Sequence, residues 1–372
     1  MIDVKSMPRL GFGLMRLPEE NGEIDMAHVC EMVDAYMKKG FNYFDTAYVY
    51  HNGKSEGVVK EAVVERYPRE DFYVATKLPA WEMSGPEDRD RIFEEQLSRC
   101  GVDYFDFYLL HSIEDGNNYN TYEKYDCFNW GVAKKAEGKI KHFGFSFHGT
   151  PELLEKVLDA HPEVEFVQIQ LNYLDWNNQL VQSGKLYEIL KRRNIPVIVM
   201  EPVKGGTLAN LEPELEGMLK EARPEASAAS WALRFAGSLD GVMTILSGMS
   251  NKEQMDDNLN TFASFEPLSE EEKKVIDAVV KKRLDMPLIS CTSCRYCCVG
   301  CPVKIKIPDV FRALNTIRLY PEDGRPKMFY KGLTSDSGRA SDCIACGQCE
   351  NVCPQHLPVI ELMKEASDKL DV

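Results

Sequence analysis

The chain has 372 residues and a formal net charge of −15, with 44% hydrophobic and 28% charged side chains, a globular profile with ample material for a core. That length exceeds one ordinary domain, and the acidic balance advertises no basic surface for nucleic acid. The opening MIDVKSMPRLGFG has no basic stretch leading into an apolar core, and no apolar run approaches the length of a membrane span. Twelve cysteines without an export signal argue against a disulfide framework and for a cytoplasmic, metal-binding protein.

In chain order, residues 1–262 alternate β-rich runs with amphipathic helical stretches. GFGLMRL comes first, followed by FNYFDT (41–46), FYVATKL (72–78), YFDFYLLH (104–111), KHFGFSF (141–147), EFVQIQL (165–171), IPVIVM (195–200) and GVMTIL (241–246). SEGVVKEAVVERY (55–67) and PELLEKVLDA (151–160) read as helices between them. Eight strands, each followed by helix or loop, predict a parallel sheet closed into a (β/α)8 TIM barrel. The stretch 269–286 reads as an exit helix. Beyond Pro287 the composition turns to cysteine, glycine and proline, with 11 basic and 10 acidic residues over 287–372. The expected domains are therefore 1–286, the barrel, and 287–372, a smaller metal-binding domain.

Nine of the twelve cysteines lie in 291–353, in CTSCRYCCVGCP (291–302) and CIACGQCENVCP (343–354). Each run reads C-x2-C-x2-C-x3-C-P. Tight spacing of this kind wraps three thiolates around one iron–sulfur cube, while the fourth cysteine ligates the other cluster. The expected ligand sets are Cys291, Cys294, Cys297 and Cys353 for one 4Fe–4S cluster, and Cys343, Cys346, Cys349 and Cys301 for the second. Zinc would want four-cysteine sites without the third-cysteine rhythm. Cys298 is surplus, and Cys30, Cys100 and Cys127 read as bystanders. The 41 residues between Cys301 and Cys343 include a helix-like DVFRALNTIRLY (309–320) and a turn-rich PEDGRP (321–326). The tail resembles a two-cluster ferredoxin with a partly helical middle.

Four polar residues stand at the ends of successive strands: Asp45 and Tyr50 in FDTAYVY, Lys77 in VATKLP and His111 in YLLHS. C-terminal strand ends form one rim of a parallel barrel, where active sites assemble. A tyrosine is a poor acid near neutral pH until a neighbouring ammonium lowers its pKa. Lys77 is expected to supply that charge, Asp45 to hold the lysine, and His111 to orient a substrate oxygen.

On these motifs, residues 8–262 resemble the aldo/keto reductase family. The resemblance implies that Asp45, Tyr50, Lys77 and His111 form the reductase tetrad with Tyr50 as general acid, acting on a small-molecule carbonyl substrate. It also implies a nicotinamide site. Gly13 and Met15 fall on its nicotinamide side, with Ser146 and Gln168 on its carboxamide and pyrophosphate side. Glu201, Pro202 and Val203 of EPVKGG fall along the pyrophosphate, and Gly248, Gln254 and Asn258 at the adenosine phosphate. The serine is followed by Phe147 where the family has asparagine. Gly248 and Gln254 stand where many members carry basic residues, so the choice between NADP and NAD stays open, with Lys252 as a substitute cation. The tyrosine-rich 114–130 could line a pocket or be plain surface.

Nicotinamide delivers two electrons as hydride, whereas each cluster moves one, and nothing in the sequence resembles a flavin site. The clusters could pass electrons to substrate or to an external electron-transfer partner, or could be structural. A nucleotide-sensing barrel that relays to a partner is the alternative to an enzyme.

Overall fold

A computed structural model describes residues 2–114, 117–178, 181–286, 288–319 and 324–371. The barrel strands are β1 (Leu10–Gly13), β2 (Tyr43–Asp45), β3 (Tyr73–Pro79), β4 (Phe105–Ile113), β5 (Ile140–Phe147), β6 (Phe166–Gln170), β7 (Val197–Met200) and β8 (Val242–Ser247). All pair in parallel, and β1 closes on β8, so the sheet is a closed eight-stranded barrel. Each expected apolar run supplies one strand. Parallel strands covered on both faces need continuous hydrophobic sequence, and β4 is buried along almost its entire length.

Side chains two residues apart share a face of a strand. Tyr43, Ala75, Phe107, Leu109, Phe166, Ile198, Met243 and Leu246 form one buried cluster drawn from β2, β3, β4, β6, β7 and β8. Two residues further along those rows stand Asp45, Lys77, His111 and Gln168. Register aligns them: Gly13 opposes Asp45, Pro79 opposes His111, and Ser146 opposes Gln168. The rows that fill the barrel with apolar side chains thus end in polar ones at its C-terminal rim.

Helices α1 (Met26–Lys38), α2 (Ser55–Val59), α3 (Asp88–Cys100), α4 (Asn117–Lys124), α5 (Cys127–Ala136), α6 (Pro151–Ala160) and α7 (Ser183–Arg192) follow the first six strands. In α6, the Thr150 hydroxyl accepts from the Leu153 amide and Pro151 begins the first turn, a standard start signal. Leu153, Leu154, Val157 and Leu158 form its buried stripe. The 114–130 stretch, described except for residues 115–116, is neither pocket loop nor plain surface. It builds α4 and the start of α5, and buries Tyr119, Tyr122, Cys127, Phe128 and Trp130.

Later helices are α8 (Pro213–Ala222), α9 (Ala228–Gly237), α10 (Lys252–Ala263) and α11 (Glu270–Leu284). Packing divides the chain differently from composition. One compact unit comprises residues 2–203 and 225–271, and the other 204–224 and 272–371. The second unit takes α8 out of the barrel sequence. Arg283 in α11 pairs with Glu212 before α8 at 3.3 Å, Arg223 pairs with Glu272 at 3.2 Å, and Lys282 pairs with Glu214.

The rest of that unit is α12 (Tyr296–Val299), α13 (Ile307–Leu319), α14 (Arg325–Leu333), α15 (Gln348–Asn351) and α16 (Val359–Leu370). Its core includes Ile305, Ile307, Val310, Phe311, Leu314 and Tyr330, closed by Val359, Met363, Ala366 and Leu370 from one face of α16. Of the expected turn-rich stretch, residues 321–323 lie outside the described residues. Gly324 caps α14, a helix the sequence reading did not anticipate.

Candidate active site and cysteine-walled cavities

At the barrel rim, Lys77 donates from Nζ to Asp45 Oδ1 at 2.7 Å and to the Thr46 carbonyl at 2.7 Å. Both side chains are removed from solvent. Tyr50 opens a short turn after β2. His51 in that turn accepts the Leu17 amide on Nε2 at 3.2 Å and meets Glu19 through Nδ1 at 3.1 Å, which ties the turn to the loop after β1. The Lys77 nitrogen lies 5.0 Å from the Tyr50 ring centroid. The His111 ring stands edge-on to Tyr50 with ring centroids 6.0 Å apart, and its centroid lies 5.1 Å from that of Trp81. Structure therefore brings Asp45, Tyr50, Lys77 and His111 into one group.

Burial governs their protonation. It raises the Asp45 carboxyl against the pull of Lys77, and lowers the Lys77 amine against the pull of Asp45. It also lowers His111 well below the usual imidazole range, with help from Lys77 and His148, so the ring is neutral at pH 7. Tyr50 differs from expectation. Its hydroxyl is pushed up, first by burial and then by the carboxylates of Asp45 and Glu201, with Arg16 opposing. The phenol is held as a proton carrier.

A buried polar network fixes the lysine strand from behind. Thr76 and Gln96 both donate to Glu56 Oε1, at 2.7 and 2.8 Å, and Gln96 also donates to the Lys77 carbonyl at 3.0 Å. Tyr108 donates to Gln96 Oε1 at 2.6 Å. The Tyr122 hydroxyl lies 2.7 Å from both the Leu78 and His111 carbonyls and accepts from the Ala80 amide at 3.0 Å. It links the strand ends that carry Lys77 and His111. Sequence reasoning missed Glu56, Gln96, Tyr122 and Arg16. Glu56 and Gln96 stand in no motif of the sequence, and only strand pairing shows that they face inward.

The nucleotide-side candidates occupy the same rim. Leu14, between Gly13 and the half-buried Met15, donates its amide to the Asp45 carbonyl at 2.8 Å. Ser146 Oγ accepts from the Ser112 amide at 2.8 Å. Gln168 is buried, with Oε1 lacking a hydrogen-bond partner among the described residues. Glu201 holds a left-handed φ of 54° and its carbonyl accepts from Asn172 at 3.2 Å; Pro202 and Val203 follow. Asn258 donates to Ser247 Oγ at 2.8 Å. Gln254, at the exposed start of α10, accepts from the Ser250 amide at 2.7 Å. A Cβ at Gly248 would sit 3.4 Å from the Arg16 side chain, so Arg16 lies over that glycine. Lys252 is paired with Asp256 one turn on.

In the other unit the cysteines wall two cavities. One is lined by Cys291, Cys294, Cys297 and Cys353, with Thr292, Ile307, Phe311 and Gln355. The second is lined by Cys301, Cys343, Cys346 and Cys349, with Ile305, Ile344 and Met363. Cys298 lines neither. The thiols surround a volume rather than a point. Among the described residues, no three histidine, cysteine or acidic side chains converge as one ion would require. Four soft thiol donors around an apolar chamber suit an iron–sulfur cube. Burial raises the Cys291 thiol and pushes Cys349 to about 11; metal ligation deprotonates such thiols outright.

A closed parallel barrel with a buried lysine–aspartate pair where its strands end is the architecture of a class of barrel oxidoreductases. Residues 9–281 match the aldo/keto reductase family, and the chain belongs to it. Residues 290–357 match a 4Fe–4S dicluster domain. The glyoxal reductase of Bacillus subtilis is 29% identical over 279 residues, which span 74% of this chain and 90% of that protein. The uncharacterized oxidoreductase YqkF of the same organism is 25% identical over 306 residues, 73% of this chain and 92% of its own. Among solved structures, the holo form of aldo-keto reductase AKR11C1 from Bacillus halodurans superimposes with a TM-score of 0.60 at 24% identity, covering 73% of this chain and 92% of that one. An aldo/keto reductase from Klebsiella pneumoniae in complex with NADP and acetate gives 0.60 at 22%, covering 74% and 92%. These superpositions speak to the fold. No helix among the described residues is long and apolar enough to cross a membrane.

Proposed function

We infer that the protein reduces a small carbonyl compound with NAD(P)H, using Tyr50 as the proton donor, and carries two 4Fe–4S clusters for one-electron exchange with an external partner or with substrate. The observation that carries the barrel reading is the convergence of Tyr50 with the buried Lys77–Asp45 pair and neutral His111. A nicotinamide held at the rim by Gln168 and Ser146 would supply hydride for the carbonyl carbon. Tyr50 gives its proton to the carbonyl oxygen, which completes the alcohol. Neutral His111 can donate a hydrogen bond to that oxygen and orient it. Lys77, fixed by Asp45, places positive charge beside the phenol, where negative charge grows as the proton leaves.

The nicotinamide reading is supported by the buried Gln168 Oε1, an acceptor suited to a carboxamide N–H, beside Ser146 at the rim. Arg16, over Gly248, is a cation that a nucleotide phosphate could meet there, and Lys252, paired with Asp256, is a second at the start of α10. The cluster reading is supported by the two separate sets of four cysteines, Cys291, Cys294, Cys297 and Cys353, and Cys301, Cys343, Cys346 and Cys349. Turnover of a simple aldehyde by anaerobic protein tests the enzyme. Tyr50→Phe should lose at least about 100-fold in kcat while binding nucleotide normally, because the phenol donates a proton but does not hold the cofactor. Near-normal turnover in that variant would overturn the assignment.

A further inference from the structure

The two cysteine-walled cavities repeat one motif but differ in surroundings. Around Cys301, Cys343, Cys346 and Cys349, Cys346 is exposed, Ile344 is 63% exposed, and no charged side chain among the described residues lines the cavity. Around Cys291, Cys294, Cys297 and Cys353 the wall includes Thr292 and Gln355, both nearly inaccessible. Behind Gln355 lies Lys204, 1% exposed, with Nζ 2.5 Å from Gln355 Oε1. Arg295 also lines this cavity, but it is exposed and held in a two-pronged pair with Asp309.

The chain takes an unusual course to put the lysine there. Lys204, Gly205 and Gly206 have φ values of 47°, 64° and 100°. A lysine in the left-handed region is disfavoured and persists only where its surroundings over-determine it. A Cβ at Gly205 would fall 2.2 Å from the Thr292 carbonyl oxygen, so the loop lies directly against the backbone between the first two cysteines. Lys204 and Gly205 are therefore part of the second unit, although they come from the sequence of the barrel.

We propose that Lys204 is a positioning residue for the cluster held by Cys291, Cys294, Cys297 and Cys353: it fixes Gln355 in the cavity wall, and its positive charge makes this the more readily reduced of the two clusters. The inference rests on the ligand assignment proposed above. An external one-electron donor adds one negative charge and no proton, and no bond forms or breaks. A lysine is a compact point charge, and in a poorly solvated wall a positive charge favours the more negative state far more than it would in water. The charge-free wall of the other cavity gives no such bias, so two sites with the same thiolate set acquire different potentials.

The test uses full-length protein prepared without oxygen, with iron and sulfide analysis followed by a dithionite titration monitored by electron paramagnetic resonance. Lys204→Met should keep eight irons and shift one midpoint potential to more negative values, leaving the other in place. Lys204→Arg, which restores the charge, should bring that midpoint back. Unmoved midpoints in an eight-iron Lys204→Met protein would overturn the proposal alone. Fewer than eight irons in the unaltered protein would overturn the ligand assignment and this inference with it. Should Lys204→Met lose four irons, Lys204→Arg decides. Eight irons with wild-type midpoints support the role of charge, and loss of four irons with the charge retained overturns it in favour of loop packing alone.

Discussion

Lys77 and Asp45 form an ion pair, 2.7 Å between Nζ and Oδ1, with almost no access to solvent. Breaking such a pair by removing one partner strands a buried charge, whereas replacing both leaves none. Lys77→Met alone is expected to destabilise the barrel by about 3–5 kcal/mol. The double variant Asp45→Leu/Lys77→Met should recover part of that stability and no activity. Anaerobic urea denaturation of the three proteins checks it. A double variant less stable than Lys77→Met would contradict the picture.

Cys298 and its neighbours separate the two ligand sets. Cys298→Ala should retain about eight irons and eight acid-labile sulfides, the content of two cubes, because Cys298 lines neither cavity. Cys353→Ala and Cys301→Ala should each lose a whole cluster, and a different one. Iron analysis with electron paramagnetic resonance distinguishes them, since only the four-cysteine set that loses a member should lose its signal.

His111 gives the barrel a pH dependence of calculable sign. Burial lowers its folded pKa, with Lys77 and His148 adding repulsion, whereas the unfolded value is about 6.5. Below about pH 6.5 the unfolded chain binds a proton that the folded one resists, so stability falls as pH falls. Above that pH this group contributes no slope. Relative to His111→Gln, wild-type stability should drop by up to about 1.4 kcal/mol per pH unit below 6.5. Denaturation midpoints for both proteins between pH 5.5 and 7.5 measure it, and parallel curves would refute it.

Reduced nucleotide alone should leave the visible cluster absorbance nearly unchanged within one turnover time. Hydride carries two electrons together, and a single electron drawn from nicotinamide leaves a high-energy radical. Dithionite should then bleach the same sample. Fast bleaching by NADPH, with no flavin co-purifying, would show a converter between the two chemistries that none of the residues described here provides.

The barrel was legible because strands covered on both faces must be written as apolar runs, and FYVATKL and YFDFYLLH are. The rim residues were legible because each ends such a run. The Glu56–Gln96–Tyr108 network was not, since a glutamate or glutamine on a helix reads as solvated until the strand beside it is known. The Tyr50 shift was hidden for a similar reason. Adjacency to Lys77 could be foreseen, but the opposing weight of burial, Asp45 and Glu201 could not. Composition placed a boundary near residue 287. It could not show that 204–224 packs with the cysteine-rich unit, because that association depends on ion pairs and a glycine contact between residues far apart in the chain.

That exchanged segment constrains the order in which the chain can mature. During synthesis a domain generally folds once its own residues have emerged. The barrel strands are complete by Ser247, yet Lys204 and Gly205 must wait for Gln355 and Thr292, about 150 and 90 residues later. Until then the loop after β7 has no settled course, and Lys204 has no Gln355 to hold it in a left-handed conformation. The nascent chain is thus left with one unfinished loop after β7. Final shaping of Lys204 and Gly205 therefore follows synthesis of the cysteine-rich residues they pack against.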